Sequence, residues 1–277
     1  MKTVFVDWKF NLIQQVRLVH AMAEAGVSVA IQDREKWKFQ ELVRVFGLRF
    51  AELTDDSIEV TSALKLVHRE PKTIVGDLER PLIFPRGIAH QCRCFWSEVR
   101  NTRVGFQGLI TGKRKELLTH WIRNNCPGQV RKIRGHDSVL WESVAKIKRK
   151  LGMTSSSTIN VGPLQLSLSD RGRAFPVKAW DEGYFRTLAN SKFTLCPSGD
   201  CIWSYRFFEA ALCGSIPIVE EVCEVYEGFR FHSFCDNLEA LRWSKEDALH
   251  NFEKSIELLT TERSDMVDAV ARILIHG

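Results

Sequence analysis

An arginine and a glutamate three residues apart, Arg206 and Glu209, follow a glycine-bearing loop in the stretch from Ser191 to Val219. Three residues is close to one helical turn, so the two side chains share a helix face. Just upstream, Pro197-Ser198-Gly199-Asp200 interrupts an apolar run from Phe193 to Cys196. Proline fixes φ and glycine tolerates positive φ, so the run reads as a strand that ends in a turn. Ser204 is placed to cap a helix over Tyr205 to Cys213, Gly214 to stop it, and Ile216 to Val219 to return as a strand. In a strand–loop–helix unit of this kind, backbone N–H groups and the helix dipole at the helix mouth favour an anion. A guanidinium there would neutralise a diphosphate, and a carboxylate would accept hydrogen bonds from ribose hydroxyls. The same spacing also fits a plain surface ion pair worth a few tenths of a kcal/mol.

A second candidate cluster lies at Gly108 to Arg114. Glycines at 108 and 112 let backbone approach a phosphate, and Lys113 and Arg114 supply positive charge. With Ser198, Gly199, Ser204, Arg206 and Glu209 they complete the proposed nucleotide-binding set. Gly199 also fits a simple tight turn, Ser204 a plain N-cap, and Tyr184 a packing role. Residues 100–150 hold thirteen Lys and Arg against three acids, within a chain of net charge +5. Such a region suits an anionic ligand, although Lys146 to Lys150 reads best as a solvated helix face.

The run Ser191-Lys-Phe-Thr-Leu-Cys-Pro-Ser-Gly, followed by Ser204-Tyr-Arg-Phe-Phe-Glu-Ala and Gly214-Ser-Ile-Pro-Ile-Val, resembles the signature of the exostosin-type glycosyltransferases. Val104-Gly-Phe-Gln-Gly through Trp121 is similar to the strand, glycine loop and basic helix that open the C-terminal domain of that family. Asp77-Leu-Glu-Arg-Pro resembles the segment that precedes this domain. The resemblance implies an inverting glycosyltransferase of GT-B type, with two Rossmann-like α/β lobes and a cleft between them. It also implies a UDP-sugar donor and a glycan hydroxyl as acceptor. Several members are xylosyltransferases, so UDP-xylose is the first expected donor, with UDP-galactose or a glucuronic acid donor next.

Inversion needs a base for the acceptor proton. Asp7, at the end of the first strand, is the first choice, followed by Asp33 and Asp77, with His90 also near the expected crossing between lobes. No D-x-D pair is present, and Lys, Arg and a helix dipole are available for the leaving diphosphate, so no metal and no other cofactor is expected. A nucleic-acid-binding role is the alternative from another class, but aromatic interleaving and a helix-turn-helix pattern are both absent. A catalytically inactive glycan-binding module is the other alternative, and the presence of both Arg206 and Glu209 argues against it.

The elements needed to hold these residues follow from periodicity and punctuation. Strands are predicted at Thr3 to Val6, Val27 to Ile31, Arg49 to Leu53 and Leu64 to His68. Helices are predicted at 11–25, with Leu12, Val16, Val19 and Ala23 on its apolar stripe, and at 36–46. This alternation predicts a parallel sheet with helices on both faces. Residues 71–95, with three prolines and two glycines, read as the crossing between lobes. Beyond it come a strand at 104–106, helices near 113–124 and 138–151, a possible strand at 130–133, and a Gly/Ser/Pro-rich stretch over 152–180 that reads as loop, with a short strand or helix within it left open. A helix at 181–189 leads into the signature, and helices at 245–259 and 262–275 close the chain. The resulting division is an N-terminal acceptor-side lobe at 1–95, short for its type, a nucleotide-sugar lobe at 96–260 and a closing helix at 261–277.

At 277 residues, 44% hydrophobic and 26% charged, the composition is that of a soluble globular protein. No run of eighteen apolar residues exists, so no transmembrane segment is expected, and neither is a signal peptide; this points to a cytoplasmic protein. The eight cysteines lack C-x-x-C spacing and are expected to be free thiols. Oligomeric state leaves no mark in the sequence.

Overall fold

The structure is a computed structural model of the chain, describing residues 2–108, 113–126, 156–169, 180–199 and 201–276. The expected strand at 130–133, the basic helix at 138–151, the loop glycine Gly112 and Asp200 lie outside the described residues. The α/β class expected from the sequence is observed. The chain divides into two compact units. One comprises residues 1–91, Trp180 and 255–277; the other comprises the described residues of 92–174 and 181–254.

The first unit carries β1 (Val4–Phe5), α1 (Ile13–Glu24), β2 (Val29–Ala30), α2 (Asp33–Lys36), α3 (Gln40–Phe46) and β3 (Ile58–Glu59). The three strands form a parallel sheet in the order β2-β1-β3. Gly26, with φ of 90°, lets the chain leave α1 and turn into β2. The stretch expected as a strand at 49–53 makes only an isolated bridge, from Ala51 to Ala30. Leu12 is not on the buried stripe of α1; it is the N-cap and is exposed. The buried face instead carries Gln14, Arg17 and His20 beside Val16 and Val19.

The strand expected at 64–68 is observed, and it belongs to a second, antiparallel sheet of the first unit. This sheet joins β4 (Leu64–Val67), β5 (Lys72–Val75) and β6 (Leu78–Arg80) in that order, and α4 (Arg86–Cys94) follows. Gly76 and Asp77 form a two-residue hairpin turn, with Gly76 at φ of 60°. The prolines and glycines of 71–95 punctuate a hairpin and a helix entry, and the boundary between the units falls within the same stretch, after residue 91. The closing helix α9 (Arg263–His276, numbered with the second unit's helices below) packs within this same unit. Arg263 Nε donates to Ala25 O at 2.7 Å, Arg272 Nε lies 2.8 Å from Asp77 Oδ2, and Phe84 N donates to Leu259 O at 2.7 Å. The unit boundaries fall after residue 91, inside α4, and after residue 254, inside the helix that precedes α9.

His20 gives this unit a pH signature. It is fully buried, against the Phe46 ring at 4.9 Å. Burial first, and the nearby Arg17 charge second, lower its pKa from 6.5 to about 3. The unfolded chain binds a proton at this histidine below about 6.5, and the folded one does not until about 3. Stability should therefore fall as pH drops through that window, by up to about 5 kcal/mol. His20→Leu is expected to flatten the profile between those pH values, as read from urea midpoints; an unchanged slope would contradict it.

The second unit carries β7 (Thr102–Gly108), α5 (Lys113–Asn125), β8 (Ser156–Val161), β9 (Leu164–Ser169), α6 (Glu182–Ala189) and β10 (Ser191–Leu195). It continues with α7 (Tyr205–Leu212), β11 (Ile216–Val219), β12 (His232–Ser233) and the first ten residues of α8 (Lys245–Leu259), whose last five belong to the first unit. Its six strands run in the order β12-β11-β10-β7-β9-β8, all neighbours parallel except β8 and β9. The sheet core is Val104, Phe106, Leu166, Phe193, Leu195, Ile216 and Ile218, covered in part by Leu118, Trp121 and Ile122 of α5. Part of the segment expected as loop, 156–169, is this antiparallel hairpin, closed by Gly162-Pro163.

Arg100 ties the other end of the sheet together. It is buried and donates to Ala189 O, Ser191 O and Cys213 O. These carbonyls sit at the C-terminal ends of α6 and α7 and the start of β10, where a cation is favourable. Among the described residues, no helix is long and apolar enough to cross a membrane.

Candidate functional site

The sheet of the second unit changes direction at β7 and β10. From β7 the chain goes on to β9 on one side, and after β10 it goes to β11 on the other. In an open parallel sheet, the crevice outside the carboxyl ends of two such strands is where ligands bind. Lys113 and Arg114 follow β7 there, and Ser198, Gly199, Ser204, Arg206 and Glu209 follow β10.

Local chemistry explains the second group. Ser204, extended at φ of −138°, caps α7 by accepting from Arg206 N at 3.3 Å. Its own N–H donates to the hydroxyl of Tyr226 at 2.8 Å. That phenol stacks on Phe207 at 3.8 Å, and burial pushes its pKa up. At the other end of α7, Gly214 adopts φ of 70°, as the sequence predicts for a helix stop.

Arg206 and Glu209 are buried, 9% and 8% exposed, so the surface ion-pair alternative does not hold. The Arg206 guanidinium lies 4.5 Å over the Phe106 ring, and its Nε donates to Gln107 O at 3.1 Å. Its Nη1 is buried without a hydrogen-bond partner among the described residues. A buried cationic donor left unmatched is costly, which marks it as a group waiting for an acceptor. Glu209 accepts from the Tyr184 hydroxyl at 2.6 Å. Tyr184 thus does more than pack. Asp181 positions it by capping α6, accepting from Tyr184 N at 2.8 Å.

The two loops are interlocked by their arginines. A Cβ on Gly108 would meet Arg206 Nη2 at 2.5 Å, and a Cβ on Gly199 would meet Arg114 Nη2 at 2.5 Å. Arg206, from the helix after β10, therefore lies against the end of β7, and Arg114, from the helix after β7, lies against the loop after β10. Gly199 is needed for this close approach and not for a left-handed turn, since its φ is not positive. Gly199→Ala displaces the far end of a flexible side chain. It is expected to leave the melting temperature nearly unchanged and to weaken nucleotide binding by about 1 kcal/mol, read by calorimetry.

Lys113 and Ser198 are brought together, Nζ to Oγ at 3.0 Å. Between them stands Glu220, which sequence reasoning missed. Its carboxylate accepts from Ser198 N at 3.3 Å, from the Ser198 hydroxyl, and from Lys113 Nζ at 3.0 Å. Its position just past β11, the strand beside β10, is the signal that would have found it. Cys196 is also near, at the end of β10, but burial pushes its thiol up to about 12, so the sulfur stays protonated.

The carboxylates considered as bases all belong to the first unit. Asp7 follows β1 and is half exposed; it accepts from Gln32 Nε2, with Arg34 Nη2 at 3.9 Å. Its N–H donates to Thr61 Oγ1 at 2.8 Å. Three residues on, Phe10 is buried with φ of 43°, an uncommon conformation for a bulky residue and a mark of a constrained loop. Lys38 holds that loop by donating to Lys9 O while pairing with Glu35 at 2.6 Å. Asp33 opens α2, is almost fully exposed and pairs with Lys36 at 2.7 Å. Asp77 sits in the β5–β6 turn, where hydrogen bonding to Arg272 lowers its pKa. His90 lies on α4.

Residues 176–246 match the RXYLT1 C-terminal domain. This is a xylosyltransferase family related to the exostosin-like glycosyltransferases, in agreement with the resemblance carried by the signature. The match runs through α6, β10, α7, β11 and β12 and so takes in Tyr184, Ser198, Arg206, Glu209 and Glu220. No curated protein matches the sequence. Among solved structures, AviGT4, a glycosyltransferase involved in avilamycin A biosynthesis, aligns over 100% of this chain and 99% of its own, at 11% identity and a TM-score of 0.46. The GtfA/B complex aligns over 89% of this chain and 44% of its own, at 10% identity and a TM-score of 0.32.

Proposed function

We propose that the chain is an inverting, metal-independent glycosyltransferase of GT-B type, moving a sugar, xylose in the first instance, from a UDP-sugar to a glycan hydroxyl. The observation that carries this reading is the coincidence of the RXYLT1 C-terminal domain match with a buried Arg206 and Glu209 at the mouth of α7. In this reading Arg206 binds the diphosphate, with Lys113, Arg114 and the Ser198–Gly199 loop around it. Glu209, held by Tyr184, accepts hydrogen bonds from the ribose. Asp7 is the proposed base: it stands at the carboxyl end of a parallel strand, beside a constrained loop. Fixed cations next to a leaving diphosphate stabilise its developing charge without reorganisation, which is the role a metal would otherwise play.

A turnover screen across UDP-, GDP- and CMP-sugars tests this, each run with and without EDTA. The expected result is consumption of a UDP-sugar, UDP-xylose foremost, undiminished by EDTA. Consumption of only GDP- or CMP-sugars, or loss of activity in EDTA, would contradict it.

A further inference from the structure

We propose that Glu220 is a resident anion: its carboxylate takes the donors that a ligand phosphate takes, and it must leave before a diphosphate can bind. The proposal rests on the donor-nucleotide reading above and adds to it the residue that sets the charge of the ligand the site prefers.

The donor set is the first argument. A backbone N–H and a hydroxyl from one Pro-Ser-Gly loop, together with a lysine ammonium, converge on the two oxygens of Glu220. Strand-end backbone donors plus a cation are what an incoming phosphate oxygen uses. Here a carboxylate of the same chain uses them instead. The Glu220 side chain is 11% exposed, whereas Lys113 is 59% exposed. A pair with one solvated partner is worth about 1 kcal/mol or less, so it is easily opened.

The charge pattern of α5 is the second argument. Lys113, Arg114 and Lys115 open this helix, at the end where the dipole disfavours cations. Glu220, from another element, faces the first of them. Glu116 is the acid that α5 itself contributes to its first turn. A more highly charged ligand would take over the role of Glu220 toward Lys113 and return it on leaving. Glu220 would then oppose tight retention of the nucleoside diphosphate product, because like charges brought together cost several kcal/mol.

Calorimetric titration of the full chain and of Glu220→Gln with UDP, uridine and inorganic pyrophosphate tests this. The amide keeps the size of the side chain and removes its charge. UDP and pyrophosphate are expected to bind about tenfold tighter to the variant, with uridine unchanged. Equal or weaker UDP binding by a variant that melts like the parent would overturn the proposal and leave Glu220 as a support for the loop. Should Glu220→Gln not melt normally, Glu220→Asp serves: it is one methylene too short to reach Ser198 and Lys113 together, and is also expected to tighten UDP, by less. If UDP fails to bind the parent while pyrophosphate binds the variant more tightly, the nucleotide reading falls and the resident anion stands. If UDP binds the parent and neither variant tightens it, the reverse holds. If neither effect is seen, both fall.

Discussion

Arg206→Met is expected to lower kcat/KM for the UDP-sugar by a factor of about 100 to 1000, on the order of 3 to 4 kcal/mol of transition-state stabilisation. Arg206 is held in place before any ligand arrives. Phe106 lies under the guanidinium, Gln107 O takes the Nε hydrogen, and Gly108 makes room for Nη2. Among the described residues, Nη1 is buried without a hydrogen-bond partner. A donor fixed this way stabilises charge that develops on a leaving diphosphate without reorganising as it does so. Methionine fills the volume over Phe106, so the loss should appear in activity and not in folding; a variant that melts within a few degrees of the parent but retains full activity would contradict the assignment. Arg206→Lys is expected to recover little, because an ammonium cannot serve Gln107 O and a phosphate in the planar fork that Arg206 offers.

Glu209→Ala has the second largest expected effect, a loss of UDP affinity of roughly 10- to 100-fold, about 1.5 to 3 kcal/mol. The informative comparison is with UDP lacking both ribose hydroxyls. In the parent, removing those hydroxyls should weaken binding by a similar factor, since a buried carboxylate then loses its partners. In Glu209→Ala the two ligands should bind alike. Tyr184→Phe should cost less, because it removes one hydrogen bond to Glu209, the 2.6 Å contact, and leaves the carboxylate in place. A parent that does not distinguish the two ligands would remove the ribose role of Glu209 and leave it as a structural partner of Tyr184.

How much of this was legible in the sequence depends on how local each signal is. The unit from Ser191 to Val219 was legible because each of its features is set by nearby residues. Pro197 and Gly199 end the strand, Ser204 caps, and Gly214 takes the left-handed conformation that stops α7. The β8–β9 hairpin was not, because serines, a threonine and an asparagine surround its apolar positions and imitate loop composition. Only the alternation of Val161, Leu164, Leu166 and Leu168 toward the core gives it away. In the same way, the glycine and prolines between 71 and 87 concealed β5, β6 and the start of α4. The expected parallel sheet is present in each unit, but the antiparallel sheet β4-β5-β6 was not foreseen.

Within the site, residue types were legible and pairings were not. Lys113, Arg114, Ser198, Arg206 and Glu209 could be named from motif and spacing. That Arg114 lies on Gly199, Arg206 on Gly108, and Glu220 between Ser198 and Lys113 depends on β7 and β10 being neighbours. The β7–β10 register pairs Thr102 with Ser191, 89 positions apart in sequence, and a pairing that distant leaves no trace in local pattern.

The central claim is that Arg206 and Glu209 hold the two halves of a uridine nucleotide. A crystal structure of the chain soaked with UDP tests it most directly. The expected result places the diphosphate within hydrogen-bonding distance of the Arg206 guanidinium and the ribose hydroxyls on the Glu209 carboxylate. Well-defined UDP bound elsewhere, with both side chains still in the arrangement described above, would contradict it.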